Sequence, residues 1–286
     1  MFVIIGIIIV IVAIVGGYAM EGGPFAVLLQ PAELLIIGGA ALGSLILATP
    51  MKLLLKLLKD LPKTLAGSKF DRAAYTELLL LQYEVYINAK KGGLTSLEAD
   101  VNEPGKSAIF SKYPKFLTNH HAAEFFQDAM RMLINGAAKP EELENAMDLE
   151  LETHHEEGSK IPAMVNKVAD ALPGLGIVAA VLGIVIAVQA IDGPPEEIGH
   201  KVGAALVGTF LGILISYGFL QPIATNLEHL SADEAKYFMC IKAGVLAFAN
   251  GAAPLTAIEF ARKVIYSYDR PGGGEIEKAA REIKPR

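Results

Sequence analysis

Ionisable side chains avoid the long apolar segments of this chain, which limits the chemistry that those segments can perform. Asp170 comes directly before one such segment, Asp192 follows it, and Glu33 precedes another. Thr209 is the main polar side chain deep within an apolar segment, and a lone Thr more often hydrogen-bonds within its own helix than lines a pore. Because ion relays across membranes usually use an intramembrane acid, another subunit is expected to supply the titrating group if this chain conducts ions.

The pair His154-His155 is the other group of residues that could bind a ligand. It is surrounded in the sequence by the acidic residues Glu150, Glu152, Glu156 and Glu157. Adjacent residues point to different faces of a helix, so a solvated acidic face is favoured over a metal site. With no phosphate-binding glycine loop and no nucleophile motif, the sequence predicts neither enzyme activity nor a cofactor.

Four apolar segments set the architecture: residues 1–20, 34–51, 171–191 and 202–227 contain no Asp, Glu, Lys, Arg or His. About 20 apolar residues are enough for a helix to cross a bilayer. The chain is therefore predicted to be an all-α, polytopic membrane protein with four transmembrane helices and a helical cytoplasmic domain. The first segment lacks a basic start and a small-residue cleavage site, so it is predicted to be a retained span.

The distribution of positive charge predicts the orientation. Among the 25 Lys and Arg residues, only Lys201 lies outside 51–170 and 228–286. The positive-inside rule then places both termini in the cytoplasm. The net charge of −6 gives no general affinity for nucleic acid. The predicted parts are a transmembrane hairpin over 1–51, a cytoplasmic helical domain over 52–170, a pore-lining hairpin over 171–227, and cytoplasmic helices with a tail over 228–286.

Small residues form regular stripes in the inner two spans. Ala179, Gly183 and Ala187 recur every four residues in the third span, and Ala204, Gly208, Gly212 and Ser216 do so in the fourth. Such stripes let helix backbones approach closely. For a single stripe, packing within one subunit is the simpler interpretation. Two parallel stripes suggest instead a closely fitted helix from elsewhere, such as another chain.

Two prolines interrupt the inner spans near the same membrane face. Pro173 lies at the cytoplasmic start of the third span and Pro222 near the cytoplasmic end of the fourth. Proline removes a helical hydrogen bond and clashes with the carbonyl four residues earlier. Two interpretations stay open, simple kinks at the membrane boundary or a matched pair of hinges.

The cytoplasmic residues are predicted to be helical. The expected helices cover 71–91, 121–135, a run from Lys139-Pro140 with a break near Ile161-Pro162, 226–249 and 254–268. The charged tail from Pro271 is predicted to be mobile.

Several motifs together resemble the MotA family of flagellar motor stator subunits. Residues 170–183 read D-x-x-P-G-x-G-I-V-A-A-V-x-G, and residues 207–218 read V-G-T-F-L-G-I-x-x-x-Y-G. Further matches are Q-P-A-E-L at 30–34 and E-F-x-R-K at 259–263. The resemblance covers nearly the whole chain and includes the two-plus-two arrangement of spans.

The resemblance implies a bacterial inner-membrane protein that forms a homo-oligomeric ring, a pentamer, around two copies of MotB within membrane lipid. MotB would supply the intramembrane Asp, and ion flow would drive the ring against FliG of the rotor. The residues implied in the ion pathway and coupling are Pro173, Pro222, Thr209, Ala180, Asp170 and Tyr217. Those implied in the rotor contact are Lys90, Lys91, Glu98 and Glu150.

Two positions refine what the resemblance implies. Sodium-driven relatives tend to carry Thr where this chain has Ala180, and a hard cation needs several oxygen ligands, so a proton is the expected ion. Lys90 stands where familiar proton-driven relatives carry Arg, which keeps the charge but loses the bidentate fork.

Three alternatives stay open. An ExbB/TolQ-type energiser is related but has three spans. A self-contained channel or transporter would need an intramembrane charge. A purely structural scaffold would not need two prolines and Thr209 in the inner helices.

Overall fold

The computed structural model describes residues 2–136 and 139–285, apart from the side chain of residue 63, and over those residues it contains helices and no strand. The first α-helices are α1 (Phe2–Met20), α2 (Phe25–Leu28), α3 (Pro31–Ala48), α4 (Met51–Asp60), α5 (Lys63–Ala66), α6 (Arg72–Gly92) and α7 (Glu98–Asn102). They are followed by α8 (Pro114–Leu117), α9 (His120–Ile134), α10 (Pro140–Val188), α11 (Pro195–Ile213), α12 (Gln221–Ala249), α13 (Pro254–Val264) and α14 (Gly273–Glu282). Short 3₁₀ turns cover Leu94–Leu97, Pro104–Lys106 and Phe110–Lys112.

Four helical segments are long and apolar enough to cross a membrane: Phe2–Met20, Phe25–Ala48, Pro140–Val188 and Pro195–Ala249. Each contains or overlaps one predicted span, and the all-helical membrane fold is thereby confirmed. None of the residues of α1 is buried, and Ile9 and Val12 are more than 60% exposed. In a bilayer such a surface faces lipid, because lipid tails are as apolar as the side chains that contact them.

The chain divides into two compact units, one of residues 1–67 and 157–230, and the other of residues 68–156 and 231–286. The first unit holds the apolar spans. This division follows contacts between residues, whereas the predicted parts follow the membrane surface, so the boundaries at 51, 170 and 227 stay predictions.

The second unit is built on α6, which is the most buried of its helices. Asp71 caps the start of α6 by accepting a hydrogen bond from the Ala74 amide at 2.8 Å. The Tyr86 ring stacks on Phe248 of α12, with ring centroids 4.4 Å apart. Glu84 is 1% exposed but satisfied, since the Tyr113 hydroxyl donates to its Oε2 at 2.8 Å and Lys112 pairs with its Oε1. Apolar packing around one paired charge therefore holds this unit together.

The predicted break at Pro162 is wrong, because α10 runs without interruption from residue 140 to residue 188. Pro162 is buried within that helix. A proline in a helix interior forfeits one hydrogen bond, and the apolar contacts of Ile161 and Val165 with Ala224 and Leu227 hold the helix together there.

The C-terminal tail also differs from the prediction of a mobile segment. It contains α14, whose Ile276 and Ala280 are buried in the core of the second unit. Arg72 of α6 pairs with Glu275 at 2.5 Å, and the Arg262 guanidinium donates to the Pro271 carbonyl at 3.0 Å. The two buried apolar side chains, spaced four residues apart, explain why this charged segment folds back onto the unit.

Glu33, expected in the loop before the second span, is helical. Helix α3 begins at Pro31, so Glu33 lies in its first turn instead of in the preceding loop. The Glu33 side chain is 7% exposed.

Candidate ion pathway and coupling site

The third and fourth spans meet along a seam of glycines in α10 and α11. A methyl group added to Gly176 would lie 2.8 Å from the Gly208 carbonyl oxygen, and one added to Gly212 would lie 2.6 Å from the Leu172 carbonyl oxygen. Any side chain at these positions would push the helices apart. Gly208 and Gly212 of the fourth-span stripe therefore pack against the third span within one chain. A closely fitted helix from another chain stays a prediction.

Pro173 leaves one backbone carbonyl of α10 without its helical donor, and the fourth span supplies a replacement. The acceptor is the carbonyl of Ala169, four residues before the proline. Ser216 donates its hydroxyl hydrogen to that oxygen at 2.6 Å, and the Ser216 side chain is fully buried. The missing intrahelical bond is thus replaced by a bond between helices.

Pro222 is accommodated differently. Residues Leu214–Leu220 form a π-helical segment directly before it, between α11 and α12. A π turn shifts the backbone bonds to a partner five residues away and bends the helix. Ser216 belongs to this segment. Its side chain therefore connects the π-helical segment before Pro222 to the Ala169 carbonyl that Pro173 leaves without a helical donor.

Asp170 and Tyr217 lie beside the two prolines. Asp170 is exposed, and its Oδ1 accepts a hydrogen bond from Gln221 Nε2 at 3.1 Å. Tyr217 is 57% exposed and borders a shallow groove of about 430 Å³. The other lining residues are Gln221, Pro222, Thr225, Asn226 and His229. These predicted site residues thus meet at one end of the paired spans.

Ala180 and Thr209 lie higher on the paired spans, and both are half-buried. The Cα atom of Thr209 would be 3.2 Å from a methyl group on Gly176, so the backbone at Thr209 belongs to the seam.

Lys90, Lys91 and Glu98 lie around one turn of the second unit, and all three are exposed. The two lysines occupy the last turn of α6, and Gly93 has a φ of +80°, a conformation that favours glycine. Glu98 begins α7 on the far side of this turn. None of the three forms an ion pair within the described residues, so their charges remain available to a partner.

Glu150 is exposed on α10, apart from this turn. Desolvation of its carboxyl group, together with the charges of Asp128 and Glu124, raises the pKa of that group above the ordinary value. The lysines and Glu98 therefore lie on either side of the short segment between α6 and α7, whereas Glu150 lies among other acids. Its assignment to the same rotor contact stays a prediction.

Sequence reasoning missed two residues of the coupling site. Ser216 stands out in the sequence only as a member of a stripe of small residues, and Gln221 was not singled out. The signal for Ser216 was present, because a hydroxyl in a helix that packs on a proline-containing helix is well suited to satisfy the carbonyl that the proline frees.

Residues 4–93 match the family model of the motility protein A N-terminal region, and residues 117–239 match that of the MotA/TolQ/ExbB proton channel family. Over 285 residues the chain is 42% identical to motility protein A of Escherichia coli K12, an alignment covering 99% of this chain and 96% of that protein. The chain belongs to the motility protein A branch of this proton channel family. It is also 35% identical to chemotaxis protein LafT of Vibrio parahaemolyticus, with 96% of each chain covered.

Solved structures of this family have the same fold. The chain matches a structure of MotAB from C. jejuni with a TM-score of 0.79 at 23% identity, covering 94% of this chain and 98% of that one. It matches the flagellar MotAB stator complex from Bacillus subtilis with a TM-score of 0.71 at 26% identity, covering 96% and 98%. Membership of a channel family agrees with the prediction of a motility-related channel subunit that is not an enzyme.

Proposed function

We propose that this MotA-family chain is the subunit of a flagellar stator that lines the ion pathway and transmits force. The single observation that carries this proposal is the hydrogen bond from Ser216 to the Ala169 carbonyl. It links the π-helical segment next to Pro222 with the proline-interrupted turn at Pro173. A displacement of the π-helical segment would therefore also displace α10 near Pro173. Such a mechanical link is what coupling of ion passage to movement requires.

The ion pathway is proposed to be completed by a MotB-like partner. Ala180 and Thr209 offer one hydroxyl and no titratable group, so the partner's intramembrane Asp is the expected proton carrier. The apparent shortage of oxygen ligands favours a proton over sodium. A homo-oligomer, specifically a pentamer around two partner chains, is proposed from the family resemblance.

The remaining proposals concern the orientation of the chain in the membrane and its contact with the rotor. The positive-inside rule supports an inner-membrane protein with both termini in the cytoplasm. Lys90, Lys91 and Glu98 are exposed and form no ion pair among the described residues, which supports a contact with FliG of the rotor at that turn. Electrostatic complementarity at such a contact would steer binding and select the partner.

Expression of the chain with its MotB-like partner, in cells lacking their own stator genes, tests the function. Restored swimming that stops when a protonophore is added is the expected result. Swimming that needs both genes, with no proton leak from this chain alone, supports a shared channel. If the pair instead energises an outer-membrane uptake system and gives no swimming, the chain is an ExbB/TolQ-type energiser.

A further inference from the structure

Glu33 is a buried acid at the start of α3 that the ion pathway described above does not use. Its Oε2 would lie 2.5 Å from a methyl group on Gly208, and its Oε1 would lie 3.5 Å from one on Gly183. The carboxyl group therefore occupies a notch whose walls are glycines of α10 and α11. Oε2 is buried and has no hydrogen-bond partner within the described part of the chain.

Among the residues that the structure describes, no charged side chain forms an ion pair with this carboxyl group. Helix α2 has no ionisable residue, and neither has α10 from 171 to 188 nor the rest of α3. On α11 the nearest is Lys201, one helical turn, ~6 Å, before Ala205, whose side chain would lie 2.6 Å from a methyl group on Gly183. Its Nζ is already paired with Glu197 at 2.8 Å. An ionised Glu33 would therefore be an unpaired charge between apolar helices, which is far costlier than a neutral acid.

We propose that Glu33 is a proton-binding site of the chain itself, a carboxylic acid that stays protonated at neutral pH in the notch between Gly183 and Gly208. The notch suits a proton and not a metal cation, because hard cations take six or more oxygen ligands and the glycine walls supply no side-chain oxygen. Only the orientation of the notch, toward the outside of the cell, rests on the proposed function.

This site is distinct from the titrating group expected from the partner. Glu33 lies in the first turn of α3, next to the short loop that carries no Lys or Arg. The chain would thus hold its own exchangeable proton near the outer ends of the spans, at the level of the glycine seam.

Labelling with dicyclohexylcarbodiimide, a membrane-soluble reagent, tests the proposal. The reagent takes the proton of a carboxylic acid, adds the carboxylate at its central carbon, and rearranges to a stable N-acylurea with no atom lost. The full chain, in membranes of cells without partner or rotor genes, is treated at pH 7.5, digested and analysed by mass spectrometry. We expect an adduct on Glu33 and none on Glu21, an exposed acid just before α2.

The opposite result is equally clear. If Glu33 carries no adduct at pH 7.5, or carries one only at pH 5, it is ionised at neutral pH and the proposal fails. Because neither partner nor rotor is needed, failure of the stator function would leave this labelling unchanged, so the two failures are distinguishable.

A matched pair of glycine variants tests the notch. In Gly208→Ala the added methyl group collides with Oε2, so the adduct should fall at least several-fold as the carboxyl moves toward water. In Gly39→Ala, on the same helix as Glu33, the added methyl group meets nothing within 4 Å, so the adduct should be unchanged. Equal labelling of both variants would show that the notch plays no part. The unmodified chain at pH 7.5 decides the proposal even if G208A fails to accumulate.

Discussion

Ser216 donates a hydrogen bond to the Ala169 carbonyl at 2.6 Å, across the packed third and fourth spans. The acceptor is the oxygen that the Pro173 ring leaves without a helical donor. The donor lies in the π-helical segment that precedes Pro222. One short contact therefore satisfies a buried backbone carbonyl and connects the irregular turns of both helices.

The first prediction concerns the strength of this bond. Ser216→Ala leaves the Ala169 carbonyl buried without a donor, which typically costs about 1–3 kcal/mol. We expect SDS denaturation followed by circular dichroism to show that loss in the free energy of unfolding. Ser44→Ala is the control, because Ser44 is exposed on α3 and should change stability by less than about 0.5 kcal/mol. Equal effects of the two substitutions would contradict the role given to Ser216.

A double substitution tests whether the bond exists because of the proline. Pro173→Ala restores a backbone N–H that can reach the Ala169 carbonyl from within α10, so Ser216 becomes redundant. Ser216→Ala should then cost clearly less in the P173A background than in the parent chain, a coupling of about 0.5–2 kcal/mol. Additive effects would show that Ser216 and Pro173 act independently.

Motor torque from P173A, measured by tethered-cell rotation, should fall while the complex still assembles.

The sequence predicted the parts of the fold that depend on periodicity and composition. Four apolar runs gave the four spans, and the helix expected over 71–91 is α6 over Arg72–Gly92. It did not predict that α10 continues through Pro162, because neighbouring apolar contacts there outweigh the local preference of proline. The sequence also did not predict α14, because most residues of that segment are charged or small and only two of them, Ile276 and Ala280, are buried.

The candidate site was only partly predictable for a related reason. Pro173, Pro222 and Thr209 stand out because their types are unusual in apolar helices. Ser216 does not stand out, because its role depends on which backbone carbonyl of the neighbouring helix lies within hydrogen-bond distance of it. Glu33 was misplaced because the start of α3 could not be fixed to within three residues, and that difference moves an acid from a loop into a helix.

A third prediction concerns the ion. Swimming supported by this chain and its partner should persist when sodium is replaced by potassium and should stop with a protonophore. The physical reason is that Ala180 adds no oxygen ligand beside Thr209, and a hard cation needs several. Swimming that requires sodium and survives the protonophore would show that the site binds sodium.

Orientation gives a fourth prediction, tested with a membrane-impermeant thiol reagent on intact cells. The one native cysteine, Cys240, is buried and should stay unlabelled. Introduced cysteines at Pro24 and at Pro195, the first residue of α11, should react, because both are exposed beside segments poor in positive charge. Pro24 is a better site than Gly23, where a side chain would collide with the Tyr18 ring. Cysteines at Ser68 and Ser111 should react only after the cells are permeabilised, and labelling of Ser111→Cys in intact cells would reverse the orientation.

The last prediction concerns the rotor contact at the turn between α6 and α7. Lys90 and Glu98 are exposed and unpaired among the described residues, so each should contribute only about 0.2–1 kcal/mol to an exposed pair. Reversing both charges places like charges together and should cost more than neutralising either one. We expect Lys90→Glu with Glu98→Lys to slow swimming while protein level and proton flux stay at the parent values.

The matched control for that double reversal is Lys278→Glu with Glu282→Lys on α14, which exchanges two exposed charges and also keeps the net charge constant. It should swim normally. Compensating charge reversals on the FliG surface should restore part of the swimming lost in the first variant and have no effect on the control, because only a direct contact responds to charge on both sides. If the Lys90/Glu98 reversal swims normally even with Lys91→Gln added, these residues are ordinary surface charges and the rotor contact lies elsewhere.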